Sequence, residues 1–191
     1  MSSIGLFGGS FDPVHIGHLI TASAVICEFS LEKILFIPNY ASPFKVDSTL
    51  TPVVDRIKML ELSIENNSFF ELSLFETEKK RPVYTYETIE HYKAIYPDKD
   101  LFLIMGRDSY SSIDRWKNSD IIKGNANIIV LKRGSEDLHP GENVFLSKNS
   151  PVIELSSTMI REMVSKNLDI KYLVNDAVRC YINDKGLYRQ N

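Results

Sequence analysis

The sequence is poor in cysteine, in excess charge and in long apolar runs, and each shortage closes off a class of protein. Among its 191 residues the only cysteines are Cys27 and Cys180, outside any C-x-x-C spacing. Neither a disulfide framework nor a zinc knuckle is indicated, and both thiols, lying among apolar residues of expected helices, are expected in the core. The net charge is −3. Such a chain lacks the basic field with which a duplex-binding surface releases counterions, so no nucleic-acid partner is expected. No apolar run approaches the roughly 18 residues of a membrane span, and no basic segment followed by an apolar one opens the chain, so a cytoplasmic protein is expected, with no membrane partner. Repeats, low-complexity tracts and Pro/Gly/Ser-rich linkers are also missing, which points to one domain over 1–191. What remains is 43% hydrophobic and 25% charged, the balance of a chain that folds.

Short apolar runs recur at residues 4–7, 34–37, 101–105 and 128–131. Each has almost no polar alternation, the pattern of a strand covered on both faces. Phe70, Leu72 and Leu74 alternate instead with Glu71 and Ser73, which suits an edge strand. Helical patterns lie between these runs. Thr51-Pro52 predicts an N-cap and a first-turn proline ahead of a face made by Val53, Ile57, Leu60 and Ile64. Tyr86, Ile89, Tyr92 and Tyr96 form a second stripe, and Asn175 is expected to cap a helix carrying Val178, Tyr181 and Ile182 that Gly186 closes in a left-handed conformation. This alternation predicts a Rossmann-like, doubly wound open α/β sheet, mostly parallel, with helices on both faces and a ligand cleft beyond the carboxyl ends of the central strands.

The first apolar run leads into Gly8-Gly9-Ser10-Phe11-Asp12-Pro13-Val14-His15-Ile16-Gly17-His18 and then an amphipathic segment at 19–29. Glycines without Cβ atoms and the amides of a helix start make an anion site. It is neither the dinucleotide fingerprint nor the Walker pattern. His15 and His18, three residues apart, would face the glycine turn and donate to phosphate oxygens. The same spacing also fits a capping histidine or a metal pair, the latter weakened by the lack of an obvious third ligand. Farther on, Ser156-Ser157-Thr158 and Arg161 open a helix after a strand-like run at 152–155. The hydroxyls are good N-caps, and an Arg beside them makes a bidentate phosphate clamp. Gly106 and Asp108 end the 101–105 run, either as a simple turn or as a nucleotide contact through close approach and ribose hydroxyls.

The glycine-turn segment, Gly8 to His18, resembles the GGTFDPxHxGH signature of the nucleotidylyltransferase superfamily, with Ser10 where Thr is usual. The stretch Leu155 to Arg161 is similar to that family's ISSTxIR motif, with Leu155 for Ile, and Gly106 to Asp108 resembles its G-x-D element, with Arg107 at a position generally small. The resemblance implies that Gly8, Gly9, Ser10 and Phe11 receive ATP, that His15 and His18 contact its phosphates, and that Ser156, Ser157, Thr158 and Arg161 grip the β- and γ-phosphates. Within the superfamily, Asn39 and Lys45 lie in a segment similar to a P-x-x-x-P-x-K loop that meets the acceptor phosphate. The stretch with Tyr84 and Thr85 resembles the segment that reads a nicotinate carboxylate, here with Val83 for Ser, Ile89 for Leu and Arg81 before Pro82. Trp116, the only tryptophan, would stack on the pyridine ring; a lone Trp is also a common core residue. These features together resemble the bacterial nicotinate-nucleotide adenylyltransferases. ATP with Mg²⁺ and nicotinate mononucleotide are therefore the expected small molecules, with His15, His18, Lys45 and Arg161 as the catalytic set and no protein metal site. An adenylyltransferase for nicotinamide mononucleotide or phosphopantetheine, and a silent nucleotide-binding regulator, stay open as alternatives. Oligomeric state has no signature.

Overall fold

The computed structural model describes residues 2–41, 50–131 and 141–189. Strand β1 (Ser3–Gly9) pairs in parallel with β2 (Lys33–Pro38) on one side and with β4 (Asp100–Gly106) on the other. Strand β3 (Phe70–Leu72) extends the sheet beyond β2, while β5 (Asn127–Leu131) and β6 (Val144–Ser147) extend it beyond β4. The order β3-β2-β1-β4-β5-β6 is that of two mononucleotide-binding halves meeting between β1 and β4, where a doubly wound sheet opens its ligand crevice.

The unbroken apolar runs follow from burial on both faces. Successive side chains of a strand point to opposite sides, and here both sides are covered. Phe7, Ile34, Phe36, Ile104 and Ile129 enter a core with Ala22 and Val25 of α1 (Ile16–Phe29), Met59 and Leu60 of α2 (Val53–Ile64), Ile160 of α7 (Ser157–Ser165) and Ile182 of α8 (Asp176–Lys185). Their strand neighbours Leu6, Leu35, Leu103 and Ile128 enter a second core with Ile89 and Tyr92 of α4 (Thr85–Ile95) and Ile122 of α6 (Ser119–Asn125). Two short helices, α3 (Phe75–Glu78) after β3 and α5 (Arg107–Tyr110) after β4, and a 3-10 turn at Ile113–Arg115 are the remaining helical elements among the described residues. No helix among the described residues is long and apolar enough to cross a membrane.

Several local expectations hold. Asn175 caps α8 by accepting from the Ala177 amide at 2.9 Å, Gly186 ends that helix with φ of 63°, and β3 is an edge strand with Phe70 buried and Glu71 exposed. Others need correction. Residues 152–155 form no strand; they carry no regular structure, and Leu155 is buried without a ladder. The sixth strand is β6. Both cysteines are exposed, because Cys27 lies two residues from buried Val25 and Cys180 two from buried Val178, a rotation of about 200° around a helix. At the start of α2 the cap position belongs to Pro52, not Thr51. The buried face of α2 is Arg56, Met59, Leu60 and Ile64, with Val53 and Ile57 only half-buried. An arginine turns inward because it finds backbone acceptors there.

Candidate active site

Parallel strands bring all their carboxyl ends to one edge of the sheet, and most of the expected site residues lie there. Gly8 and Gly9 end β1, Asn39 follows β2, and Gly106 ends β4. Gly8 is exposed, and a Cβ built on Gly8 or on Gly106 would meet nothing within 4 Å, so both backbones face open space. Gly9 is different. A Cβ there would lie 3.1 Å from the Phe11 ring, which folds back because Phe11 adopts a left-handed φ of 48° that a bulky residue rarely takes. Phe11 is itself 2% exposed, so its side chain is core and only its backbone faces the turn. Asn39 donates its amide to the Gly9 carbonyl at 3.0 Å, tying β2's end to the glycine turn. Lys45 lies outside the described residues.

His15 stands at the N-cap of α1 and His18 at its third position. The capping reading is thereby realised, with His15 at the cap and His18 closing a capping box from the third position. The two rings stack with centroids 3.7 Å apart, and the His15 amide donates to His18 Nδ1 at 3.2 Å. When the His18 ring is neutral, that bond puts its proton on Nε2, on the far side from the backbone. Phe11 packs edge-on against the His18 ring at 5.1 Å, which fixes its plane.

The two distant segments meet at the glycine turn. Arg161, on the first turns of α7, donates through Nη1 to the Asp12 carbonyl at 2.7 Å and through Nη2 to Thr158 Oγ1 at 3.2 Å. Ser157 donates to the Pro13 carbonyl at 2.8 Å. Ser156 is a true N-cap, accepting from the Met159 amide at 3.1 Å. The bland reading of that hydroxyl is thus correct for Ser156, while Ser157 and Arg161 bridge 144 and 149 positions of sequence. An open pocket of about 300 Å³ lies against Thr158, Arg161, Glu162, Ser165 and Tyr188.

A second group surrounds the start of α4, which as a crossover helix runs antiparallel to the strands and so begins at the same sheet edge. Tyr84 is its N-cap and Thr85 its first residue. Glu87 takes the Tyr84 amide at 3.0 Å and is held by Arg81 at 2.6 Å, and the Arg81 guanidinium keeps the Glu87 carboxyl below the usual range. Lys117 lies over the Tyr84 ring at 4.5 Å. Its neighbour Trp116 is half-buried and donates its indole N–H to Ser112 at 3.1 Å. Asp108 is exposed in α5, at the carboxyl end of β4.

Three further residues shape the site, and of these only Asp12 lay within a motif. Asp12, 1% exposed, accepts the Thr51 amide at 3.1 Å and the Tyr188 hydroxyl at 2.7 Å through its two carboxylate oxygens. Arg56, also 1% exposed, donates to the carbonyls of Ser10, Thr51 and Tyr40 at 2.7, 3.0 and 3.1 Å. Burial pulls the Arg56 pKa down, opposed by the Asp12 charge, and burial with that same carboxylate pushes the Tyr188 phenol up. The regular-looking polar position within α2 gave no sequence signal; the D-P of the glycine turn was visible but its side-chain partners were not.

A glycine turn and helix start at the switch point of a doubly wound sheet, with a second helix delivering an arginine to the same turn, define a nucleotidyltransferase site. The chain belongs to the cytidylyltransferase-like family, whose model matches residues 6–163. It is 37% identical to the nicotinate-nucleotide adenylyltransferase of Bacillus subtilis, an alignment spanning 98% of this chain and 99% of that protein. The fold is also that of the nicotinic acid mononucleotide adenylyltransferase of Plasmodium falciparum, solved in complex with NaAD, at a TM-score of 0.79 and 21% identity over 98% of each chain.

Proposed function

We propose that this protein transfers the adenylyl group of ATP to nicotinate mononucleotide, forming nicotinate adenine dinucleotide and pyrophosphate. The observation that carries the reading is the bond from Arg161 to the Asp12 carbonyl, which sets the second phosphate-binding segment against the glycine turn, in a chain so similar along its length to the Bacillus subtilis enzyme. A 5′-phosphate oxygen of the acceptor attacks the α-phosphorus of ATP, the bond from that phosphorus to the β-bridging oxygen breaks, and pyrophosphate leaves. No protein nucleophile is needed, so the rate comes from positioning and charge stabilisation. His18 donates from Nε2, with His15 beside it, to the phosphate oxygens as charge builds. Arg161, with Ser157 and Thr158 near it, grips the leaving pyrophosphate, and Ser156 holds the start of α7. Lys45 steadies the attacking phosphate.

Gly8, Gly9, Ser10 and the backbone of Phe11 receive the nucleotide, and Gly106 and Asp108 meet its ribose side. Asn39 lies on the acceptor side of the turn. Thr85, first residue of α4, offers the amide of a helix start to the nicotinate carboxylate, with Tyr84, whose own amide is held by Glu87, beside it and Trp116 against the pyridine ring. Among the described residues no three His, Cys, Asp or Glu side chains cluster as metal ligands, and Mg²⁺ is assigned to the substrate, as MgATP with the cation on phosphate oxygens.

The test is pyrophosphate release with ATP and, in turn, nicotinate mononucleotide, nicotinamide mononucleotide and phosphopantetheine. The nicotinate acceptor is expected to be fastest, and His18→Ala is expected to keep the fold while losing at least a hundredfold in turnover. ATP binding without release from any acceptor would make the protein a regulator instead.

A further inference from the structure

The cluster of Arg56, Asp12 and Tyr188 lies against the glycine turn, with Arg56 and Asp12 each 1% exposed. Arg56 arises from the first turns of α2, and each of its three guanidinium nitrogens donates to a backbone carbonyl from a different segment: Ser10 after β1, Tyr40 after β2, and Thr51 ahead of α2. Asp12 takes the amide of that same Thr51, so the Thr51 residue is held through its carbonyl by Arg56 and through its N–H by Asp12. The other oxygen of Asp12 is occupied by the Tyr188 hydroxyl from the C-terminal segment. The backbone carbonyl of Asp12 is the acceptor for Arg161. Ser10 and Asp12, the residues flanking Phe11 in the phosphate turn, are therefore each fixed by a side chain from outside the turn, buried Arg56 and half-buried Tyr188.

We propose that Arg56 and Tyr188 are positioning residues for adenylyl transfer: Arg56 through Ser10, and Tyr188 through Asp12, hold the glycine turn at the separation from Arg161 that a single triphosphate requires. The inference rests on the proposed reading of that turn as the ATP phosphate site. A planar guanidinium suits this task because its fork reaches three acceptors at fixed angles, which a lysine ammonium at the end of a flexible stem does not. A displacement of about 1 Å at a reacting centre lowers turnover by about a hundredfold, so a loosened turn is read in the chemistry before it is read in the fold.

The experiment compares Arg56→Lys and Tyr188→Phe with Ile64→Ala, a core substitution on α2 away from the turn, at a temperature where circular dichroism finds each protein folded. Two quantities are measured for each: kcat for pyrophosphate release from ATP with nicotinate mononucleotide, and the ratio of Kd for AMP to Kd for a non-hydrolysable ATP analogue. Arg56→Lys is expected to lower kcat at least tenfold and to reduce that ratio at least fivefold, with the Kd for AMP within threefold of wild type. Tyr188→Phe, which removes one oxygen, is expected to shift both in the same direction by at least threefold, and Ile64→Ala to leave both within twofold. Wild-type kcat and ratio in Arg56→Lys and Tyr188→Phe would overturn the proposal. Should Arg56→Lys fail to fold, Tyr188→Phe decides by itself. A wild-type protein that binds the ATP analogue more tightly than AMP but releases no pyrophosphate would defeat the acceptor assignment alone, and the binding ratio would still decide the positioning role.

Discussion

Glu76 gives the sharpest quantitative handle on the molecule. It lies in α3, mostly buried, where Thr88 of α4 donates to it at 2.7 Å, and this bond links α3 to the helix that begins with Tyr84 and Thr85. Burial is the main cause that raises its pKa from 4.5 to about 7, with the Glu87 charge adding to the rise and the Thr88 hydroxyl opposing it. The folded protein thus binds this proton more tightly than the unfolded chain. Stability from this group is full below about 4.5 and is lost as pH climbs to about 7. Between pH 5 and pH 8 the loss amounts to about 2 to 3 kcal/mol. Glu76→Gln removes the titration and keeps a carbonyl oxygen for Thr88. Urea denaturation of both proteins at the two pH values cancels every other titrating group in the double difference. At an m-value of about 2 kcal/mol/M, the variant is expected to gain about 1 M in midpoint relative to wild type on going from pH 5 to pH 8. Parallel pH dependences of the two midpoints would refute the assignment of a buried, proton-holding carboxyl at position 76.

Two substitutions test the framework. Gly5→Ala would drive a Cβ to 2.8 Å from Ile34 Cγ1 and to 3.0 Å from Ile104 Cδ1 and Leu31 Cδ1, and overpacking at the centre of the sheet is expected to lower stability by about 1–3 kcal/mol; an unchanged thermal midpoint would mean the strand is placed differently. Asn175→Ala removes the α8 cap bond to Ala177 and is expected to cost about 1 kcal/mol with kcat unchanged, read by denaturation and pyrophosphate release on the same samples.

The fold was legible where burial on both sheet faces wrote itself into consecutive residues. Leu103 and Ile104 enter opposite cores, and no polar residue can interrupt such a pair without being buried. Strand β6 was not legible for the converse reason: it is short, at the sheet edge, and its Phe145 is 41% exposed. The apolar run at 152–155 misled because Leu155 is buried by packing alone, and apolar pattern cannot distinguish burial with a ladder from burial without one. Of the candidate site, the glycines, histidines, hydroxyls and Arg161 stood out in the sequence because their spacing reflects local helix starts, and the fold brings Ser157 and Arg161 to the glycine turn. Arg56 was not, since what makes its burial tolerable is three backbone carbonyls distant in sequence, and no local pattern encodes an acceptor that tertiary structure supplies. The exposed thiols of Cys27 and Cys180 show the same limit: residues two apart on a helix share an apolar neighbourhood in sequence and opposite faces in space.

The most direct measurement is a crystal structure with a non-hydrolysable ATP analogue bound. The account predicts one triphosphate within hydrogen-bonding distance of both His18 Nε2 and the Arg161 guanidinium, lying over Gly8. Phosphates contacting only one of those side chains, or seated at the amino ends of the strands, would contradict it.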